Sequence, residues 1–261
     1  MWLQISKTMT RKKTPKLLRW LAFLFGLWAA PVAAANCRAM TFDGADYTIC
    51  TVDMQTDDLR LFLNDKDGKP YGHFAAIETA LGRPLAFAMN AGMYHADRRP
   101  VGLYIEEGDQ QAGIVTSAGP GNFGMLPNGV FCVQQGSARV IESRRFADDP
   151  PTCRFATQSG PMLVIDGALH PRFLPDSTSR NIRNGVGTSD DGRTATFAIS
   201  RQPVTFHQFG RLFRDGLGIN QALYLDGRVS RLWAPEIGRR DGGVAMGPVL
   251  GVVGSQPSAG G

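Results

Sequence analysis

No apolar run in this 261-residue chain reaches the roughly 20 residues that a membrane-spanning helix needs; the strongest, Trp20–Ala30, is too short. There is no G-x-S-x-G elbow, no H-E-x-x-H pair and no Walker loop, which sets aside three common catalytic designs. No two cysteines stand at C-x-x-C spacing, so a structural zinc site is disfavoured. Gly185-Val186-Gly187 lacks the third glycine of a dinucleotide loop and reads instead as the beginning of a strand. Solenoid or propeller periods are absent, and no linker-like stretch divides the chain.

What is present begins with a leader. Lys7, Arg11, Lys12, Lys13, Lys16 and Arg19 precede the apolar run, and Ala33-Ala34-Ala35 supplies the small residues of a signal-peptidase site. Residues 1–35 are therefore expected to be a signal peptide cleaved after Ala35. Asn36 is not the small residue that a lipoprotein signal places before its cysteine, so lipid anchoring at Cys37 is the weaker reading. The leader takes away six of the 28 Lys+Arg and none of the 23 Asp+Glu, leaving 22 basic residues against 23 acidic ones. The basic balance of the whole chain thus belongs to the leader, and nothing remains to form a nucleic-acid footprint. The expectation is a periplasmic or secreted protein with no stable membrane insertion after cleavage. Residues 36–253 form one domain in this reading, and the Gly/Ser/Pro-rich residues 254–261 form a disordered tail.

All four cysteines, Cys37, Cys50, Cys132 and Cys153, lie in the exported part, where an even count favours disulfides. Four cysteines permit three pairings. Cys37–Cys50 with Cys132–Cys153 is preferred because both close short loops; crossed pairs or free buried thiols compete.

The chain alternates short β-rich runs with turns. Tyr47–Met54 and Leu59–Leu63 read as strands across Gln55–Asp58. Asn64–Gly68 has the carboxylate spacing of a calcium loop but lacks its closing glutamate, so it reads as a polar turn. Phe74, Ile77 and Leu81 mark one face of a short helix over His73–Leu81, stopped at Gly82. Strand Leu85–Met89 follows, and Pro100–Ile105 resumes the sheet. Phe123–Leu126 is expected to be a strand, turning at Pro127–Gly129 into a second one that carries Cys132, with Arg139–Ser143 as hairpin partner across Gln135-Gly136. Met162–Ile165 is a buried strand between two turns. Ser189–Gly192 is a hairpin turn into Thr194–Ser200. Thr205 caps a helix over Phe206–Arg214, and Ala222–Leu225 is a strand that delivers Asp226-Gly227. Many strands, two clear helices and no regular alternation of the two predict an α+β domain with mixed or antiparallel sheets.

Five motifs then follow one another in an order that resembles the phosphodiester glycosidases. They are Asn90-Ala91-Gly92-Met93-Tyr94, Pro100-Val101-Gly102-Leu103, Gln158-Ser159-Gly160-Pro161-Met162-Leu163, Arg183-Asn184-Gly185-Val186-Gly187 and Leu225-Asp226-Gly227. That family includes a lysosomal enzyme which removes N-acetylglucosamine from a sugar-phosphate diester, and bacterial exported relatives. The resemblance covers about Tyr47–Pro235. It implies a single phosphodiester-glycosidase-like domain that cleaves between an anomeric carbon and a phosphate oxygen, with no cofactor and no metal ligand set. One departure stands out: the glycosidase branch places two or three glycines and then a serine after the aspartate, whereas here Arg228 and Val229 intervene before Ser230.

Side-chain chemistry ranks the candidates. Asp226, at a strand end, is the catalytic carboxylate; a plain Asp-Gly turn is its structural alternative. Arg183 is the phosphate clamp, since a guanidinium forks onto phosphate, with Arg180 and Arg228 behind it. Asn90 and Gln158 offer amides suited to sugar hydroxyls, and Ser159 and Ser230 offer hydroxyls to phosphate. His95 is an acid, base or phosphate donor, or an ordinary loop histidine. The substrate expected is a sugar-phosphate or glycoconjugate of the cell envelope. The competing class is a non-catalytic module that binds envelope polysaccharide or a protein partner.

Overall fold

A computed structural model describes residues 1–4 and 35–255. Nearly all of the proposed leader, and residues 256–261 of the proposed tail, lie outside the described residues. Residues 1–4 have no regular structure, and among the described residues every strand and helix lies within Asn36–Val253. In chain order the strands are β1 (Asn36–Phe42), β2 (Ala45–Asp53), β3 (Leu59–Phe62), β4 (Leu85–Asn90), β5 (Tyr104–Glu106), β6 (Asp109–Ala112), β7 (Gly129–Gln134), β8 (Ser137–Glu142) and β9 (Phe155–Ser159). They continue as β10 (Met162–Ile165), β11 (Ala168–Leu169), β12 (Asn184–Thr188), β13 (Thr194–Ser200), β14 (Gln221–Asp226), β15 (Leu232–Ala234), β16 (Arg239–Arg240) and β17 (Val249–Val253). The α-helices are α1 (Phe74–Leu81), α2 (Ser143–Asp148) and α3 (Phe206–Arg211).

These strands build three antiparallel sheets. The largest has the order β1-β2-β13-β12-β14-β10-β11, and two five-stranded sheets run β16-β15-β4-β17-β3 and β6-β5-β9-β7-β8. Alternation along the strands decides what each sheet covers. Val52, Phe197, Leu223 and Leu225 of the large sheet meet Phe87 and Met89 of the second sheet and Phe131 and Phe155 of the third in one continuous core. The opposite face of the large sheet packs Tyr47, Ile49, Ala222 and Tyr224 against Phe209 and Phe213. The domain is thus α+β, with a seven-stranded sheet facing two smaller ones and the α3 segment closing its far side.

The α3 segment forms where its sequence provides for it. The Thr205 hydroxyl accepts from the Gln208 amide at 3.1 Å while the Gln208 side chain accepts from the Thr205 amide at 3.3 Å, a reciprocal cap. Phe209 and Phe213 are fully buried, each contributing roughly 1.5–3 kcal/mol. The helix continues as a π turn over Leu212–Gly216. At the other helix start, α1 begins after His73 and stops at Gly82, whose left-handed backbone (φ 61°) explains the glycine.

Both disulfides are those preferred from loop length. Cys37–Cys50 joins residues directly opposed across β1 and β2, and Cys132–Cys153 ties β7 to the segment before β9.

Two sequence expectations fail for local reasons. Phe123–Leu126 is a turn, not a strand, because its groups bond nearby: Asn128 Nδ2 donates to the Phe123 carbonyl at 3.0 Å and the Met125 amide to that of Asn122 at 3.2 Å. Within Pro100–Ile105 only the last two residues join a strand, since the Leu103 amide donates to Gln158 Oε1 at 3.1 Å instead of to a neighbouring strand. Seven strands have no counterpart in the sequence reading: β1, β6, β9, β11, β15, β16 and β17; β1 is mostly exposed and lacks an apolar pattern, and β17 is a central strand between β4 and β3.

β12 is glycine-rich because its neighbours press on it. A Cβ on Gly185 would stand 2.7 Å from the Leu223 carbonyl oxygen and 3.1 Å from Leu163 Cδ1. Gly185→Ala is therefore expected to destabilise by about 1–3 kcal/mol, whereas Gly113→Ala, which meets nothing within 4 Å, stays within about 0.5 kcal/mol of wild type. Paired urea denaturation curves check both.

Candidate active site

Strand ends from different sheets are held together by two buried asparagines. Asn184, at the start of β12, donates through Nδ2 to Asn90 Oδ1 at 2.9 Å and to the Asn90 carbonyl at 3.2 Å. Asn90, at the end of β4, returns a bond from Nδ2 to Asn184 Oδ1 at 3.3 Å. The same two oxygens accept from the chain beyond β14: the Asp226 amide reaches Asn184 Oδ1 at 3.0 Å and the Arg231 amide reaches Asn90 Oδ1 at 2.9 Å. Neighbouring side chains repeat the pattern. Thr157 Oγ1 donates to the Ala91 carbonyl at 3.0 Å, and Ser159 Oγ to that of Leu225 at 2.8 Å. Ser230 Oγ lies 3.0 Å from the Ile182 carbonyl and 2.9 Å from the Asp226 carbonyl, bonding between them.

This framework delimits a cleft of about 650 Å³. One wall is the turn after β4, with Tyr94, His95 and Arg98; the other is the end of β14, with Tyr224, Asp226 and Arg228. Asn122 and Asn181 complete the rim. Asp226 is half-buried, and its Oδ1 accepts from the Gly227 amide at 2.6 Å and the Arg228 amide at 2.9 Å. Burial nevertheless raises its pKa above the usual carboxylate range, outweighing those amides and the Arg228 charge. Tyr94 is pushed above the ordinary phenol range, first by burial and then by the Asp226 charge. The Arg98 guanidinium sits 5.4 Å from the Tyr94 ring centroid.

Arg183 lies beneath the cleft. It is fully buried and makes no salt bridge among the described residues. Its Nε donates to the Val204 carbonyl at 2.9 Å and Nη2 to that of Ser179 at 3.2 Å, while the guanidinium carbon lies 3.6 Å from the Phe206 ring centroid and 5.5 Å from that of Tyr224. Burial lowers its pKa and drives that of Tyr224 far above the phenol range.

The residues nominated from sequence separate into groups. Asp226, Arg228 and His95 line the cleft; Asn90, Ser159 and Ser230 brace it from behind, and Arg183 underlies it. Gln158 is a staple: Oε1 accepts from the Leu103 and Val115 amides, and Nε2 donates to the Val115 carbonyl and Ser143 Oγ. Its hydrogen-bonding capacity is taken up in fixing the loop that presents Val101 to the cleft. Arg180 points to Gln208 Oε1 at 2.9 Å on α3. Tyr224, Tyr94, Arg98 and Asn184 were not nominated. Tyr224 was legible in principle, because the two-residue period of a strand puts it on the same face as Asp226. Among the described residues no group of three or more His, Cys, Asp or Glu side chains is placed to hold a metal ion.

The fold places the chain in a class of solved structures. It superposes on the catalytic domain of zebrafish N-acetylglucosamine-1-phosphodiester alpha-N-acetylglucosaminidase, auto-inhibited by its pro-peptide, with TM-score 0.60 and 15% identity over 87% of this chain and 85% of that one. A hypothetical protein from Synechocystis gives TM-score 0.55 at 13% identity over 83% of this chain, which spans 61% of that protein's length. The family model described as phosphodiester glycosidase matches residues 84–244. The uncharacterized protein YigE of Escherichia coli (strain K12) is 34% identical over 204 residues, 77% of this chain and 79% of that protein. The chain belongs to the phosphodiester glycosidase family, a family of hydrolases.

Two outcomes are expected. Asn184→Ala leaves buried groups of Asn90 and Asp226 unpaired and costs about 2–4 kcal/mol, read from thermal or urea unfolding. For Asp226 the folded pKa is raised, so the protonated form favours folding and that advantage is lost as pH rises through the folded pKa. Asp226→Asn keeps the acceptor for both amides and is therefore expected to unfold at a higher temperature than wild type at pH 7. The difference shrinks as pH falls toward the unfolded carboxylate value of about 3.9, and a melting series across pH measures it.

Proposed function

We propose that the chain is an exported hydrolase of a sugar-1-phosphodiester or related envelope glycoconjugate, working in the periplasm or outside the cell after loss of residues 1–35. The observation that carries this reading is the charge pattern of the cleft. Asp226 is the one carboxylate among its lining residues; Arg228 stands beside it on the same turn, and His95 and Arg98 line the other wall. Ordinary glycosides call for a second carboxyl group to protonate the departing alcohol. A phosphate monoester is already a good leaving group, with a second pKa of about 6. One carboxylate in a cleft that carries two arginines suits that chemistry.

In this reading Asp226 accepts a proton from water as the water oxygen bonds to the anomeric carbon. The bond from that carbon to the phosphate oxygen breaks, and its electron pair stays on the phosphate. The raised pKa makes Asp226 the stronger base. Arg228, with Arg98 and His95, holds the phosphate, and Arg228 with Val229 replaces the small residues of the glycosidase branch with bulk and charge that restrict the sugar admitted. Two disulfides support an oxidising compartment.

The test is release of free sugar from a panel of sugar-phosphodiesters by the purified protein. Wild type is expected to turn over at least one, Asp226→Asn to lose about 10²–10⁴-fold in kcat, and activity to rise with pH through the Asp226 titration. Saturable glycan binding with no turnover in either protein would instead establish the non-catalytic binding module.

A further inference from the structure

Most buried polar atoms in this domain are paired, as the cost of leaving them unpaired requires. Two that are not lie together under the cleft. Tyr224 Oη and Arg183 Nη1 are buried beside one another, and neither has any other hydrogen-bond partner among the described residues, although both residues are fully enclosed. The other Arg183 nitrogens are engaged by the Val204 and Ser179 carbonyls, so Nη1 is the donor the fold leaves over. Phe206 fixes both partners, lying 3.6 Å from the guanidinium carbon and 4.8 Å, edge to face, from the Tyr224 ring.

The turn above is shaped around this hydroxyl. A Cβ on Gly227 would fall 1.9 Å from Tyr224 Oη, so the backbone next to Asp226 passes against one side of it and only glycine fits. Tyr224 also lines the cleft that Asp226 lines, two residues away on the same strand face. A hydroxyl hydrogen with no acceptor, with a guanidinium behind the hydroxyl oxygen and a carboxylate beside it, is an arrangement completed by an anion's oxygen.

We propose that Tyr224 and Arg183 form the buried anion-recognition element of the cleft. The Tyr224 hydroxyl donates to a phosphate oxygen of the bound ligand, and Arg183 acts as a positioning residue that orients the hydroxyl and supplies charge from beneath. The assignment rests on the phosphodiester reading for its substrate but predicts phosphate binding whether or not turnover occurs. It replaces a direct Arg183 clamp with a tyrosine contact backed by the arginine.

Inorganic phosphate is the probe, followed by calorimetry and thermal shift on the mature protein. Wild type is expected to bind phosphate, and Tyr224→Phe to bind it about 10-fold or more weakly, the size of one lost charge-assisted hydrogen bond. Because Tyr224→Phe removes an unpaired buried hydroxyl, its ligand-free melting temperature is expected to equal or exceed that of wild type, which a purely structural tyrosine would not give. Arg183→Lys is expected to retain more phosphate affinity than Arg183→Met. Where a sugar-phosphodiester is cleaved, Tyr224→Phe lowers kcat by about 10²-fold. Phosphate affinity unchanged in Tyr224→Phe, or absent from wild type, overturns the proposal. Tyrosine-dependent phosphate binding without turnover of any phosphodiester sustains it and overturns the hydrolase reading instead.

Discussion

The reciprocal amide pair of Asn90 and Asn184 is the constraint on which the cleft depends. Each side chain is fully buried, and in a low-dielectric interior an unpaired amide is costly enough that both must be satisfied or the strands must part. They satisfy one another, and their oxygens still accept the Asp226 and Arg231 amides. The position of the carboxylate is thereby tied to the placement of β4 against β12. Residues that look like sugar ligands in a linear chain are the joinery of the site.

A second constraint is electrostatic. Arg183 is buried without an acidic partner, and its desolvation is offset by two carbonyls and by the faces of Phe206 and Tyr224. A charge held that way acts over a longer range than a paired one, because neither water nor a counter-ion screens it. The cleft therefore sees positive charge from beneath as well as from Arg98 and Arg228 at its walls. Asp226 sits in that field with a raised pKa because burial outweighs its neighbours.

Much of the fold was legible because local signals and tertiary demands agree. The α1 face of Phe74 and Ile77, the Thr205 cap, the Ser189–Gly192 turn and the short-loop disulfides are each explained by residues no more than 21 positions apart. Where the sequence misled, side chains had taken over the backbone. Gln158 occupies the Leu103 amide and stops a strand, and Asn128 turns Phe123 away from one. The site divided in the same way. Asp226 announced itself by lying at the end of an apolar strand, while Tyr224 was concealed inside that strand as one more core residue.

The sequence by itself determined the class of fold, the family and the strand that carries the carboxylate, because periodicity, turn chemistry and motif order are properties of neighbours along the chain. Only the tertiary structure decided which polar residues face the cleft and which are consumed in holding it open. Asn90, Gln158 and Ser159 have the chemistry of ligands, yet their bonds go to strand ends and loops 15 to 141 positions away. Hydrogen-bond satisfaction is settled across sheets, so a side chain's composition cannot disclose whether its donors are already spent.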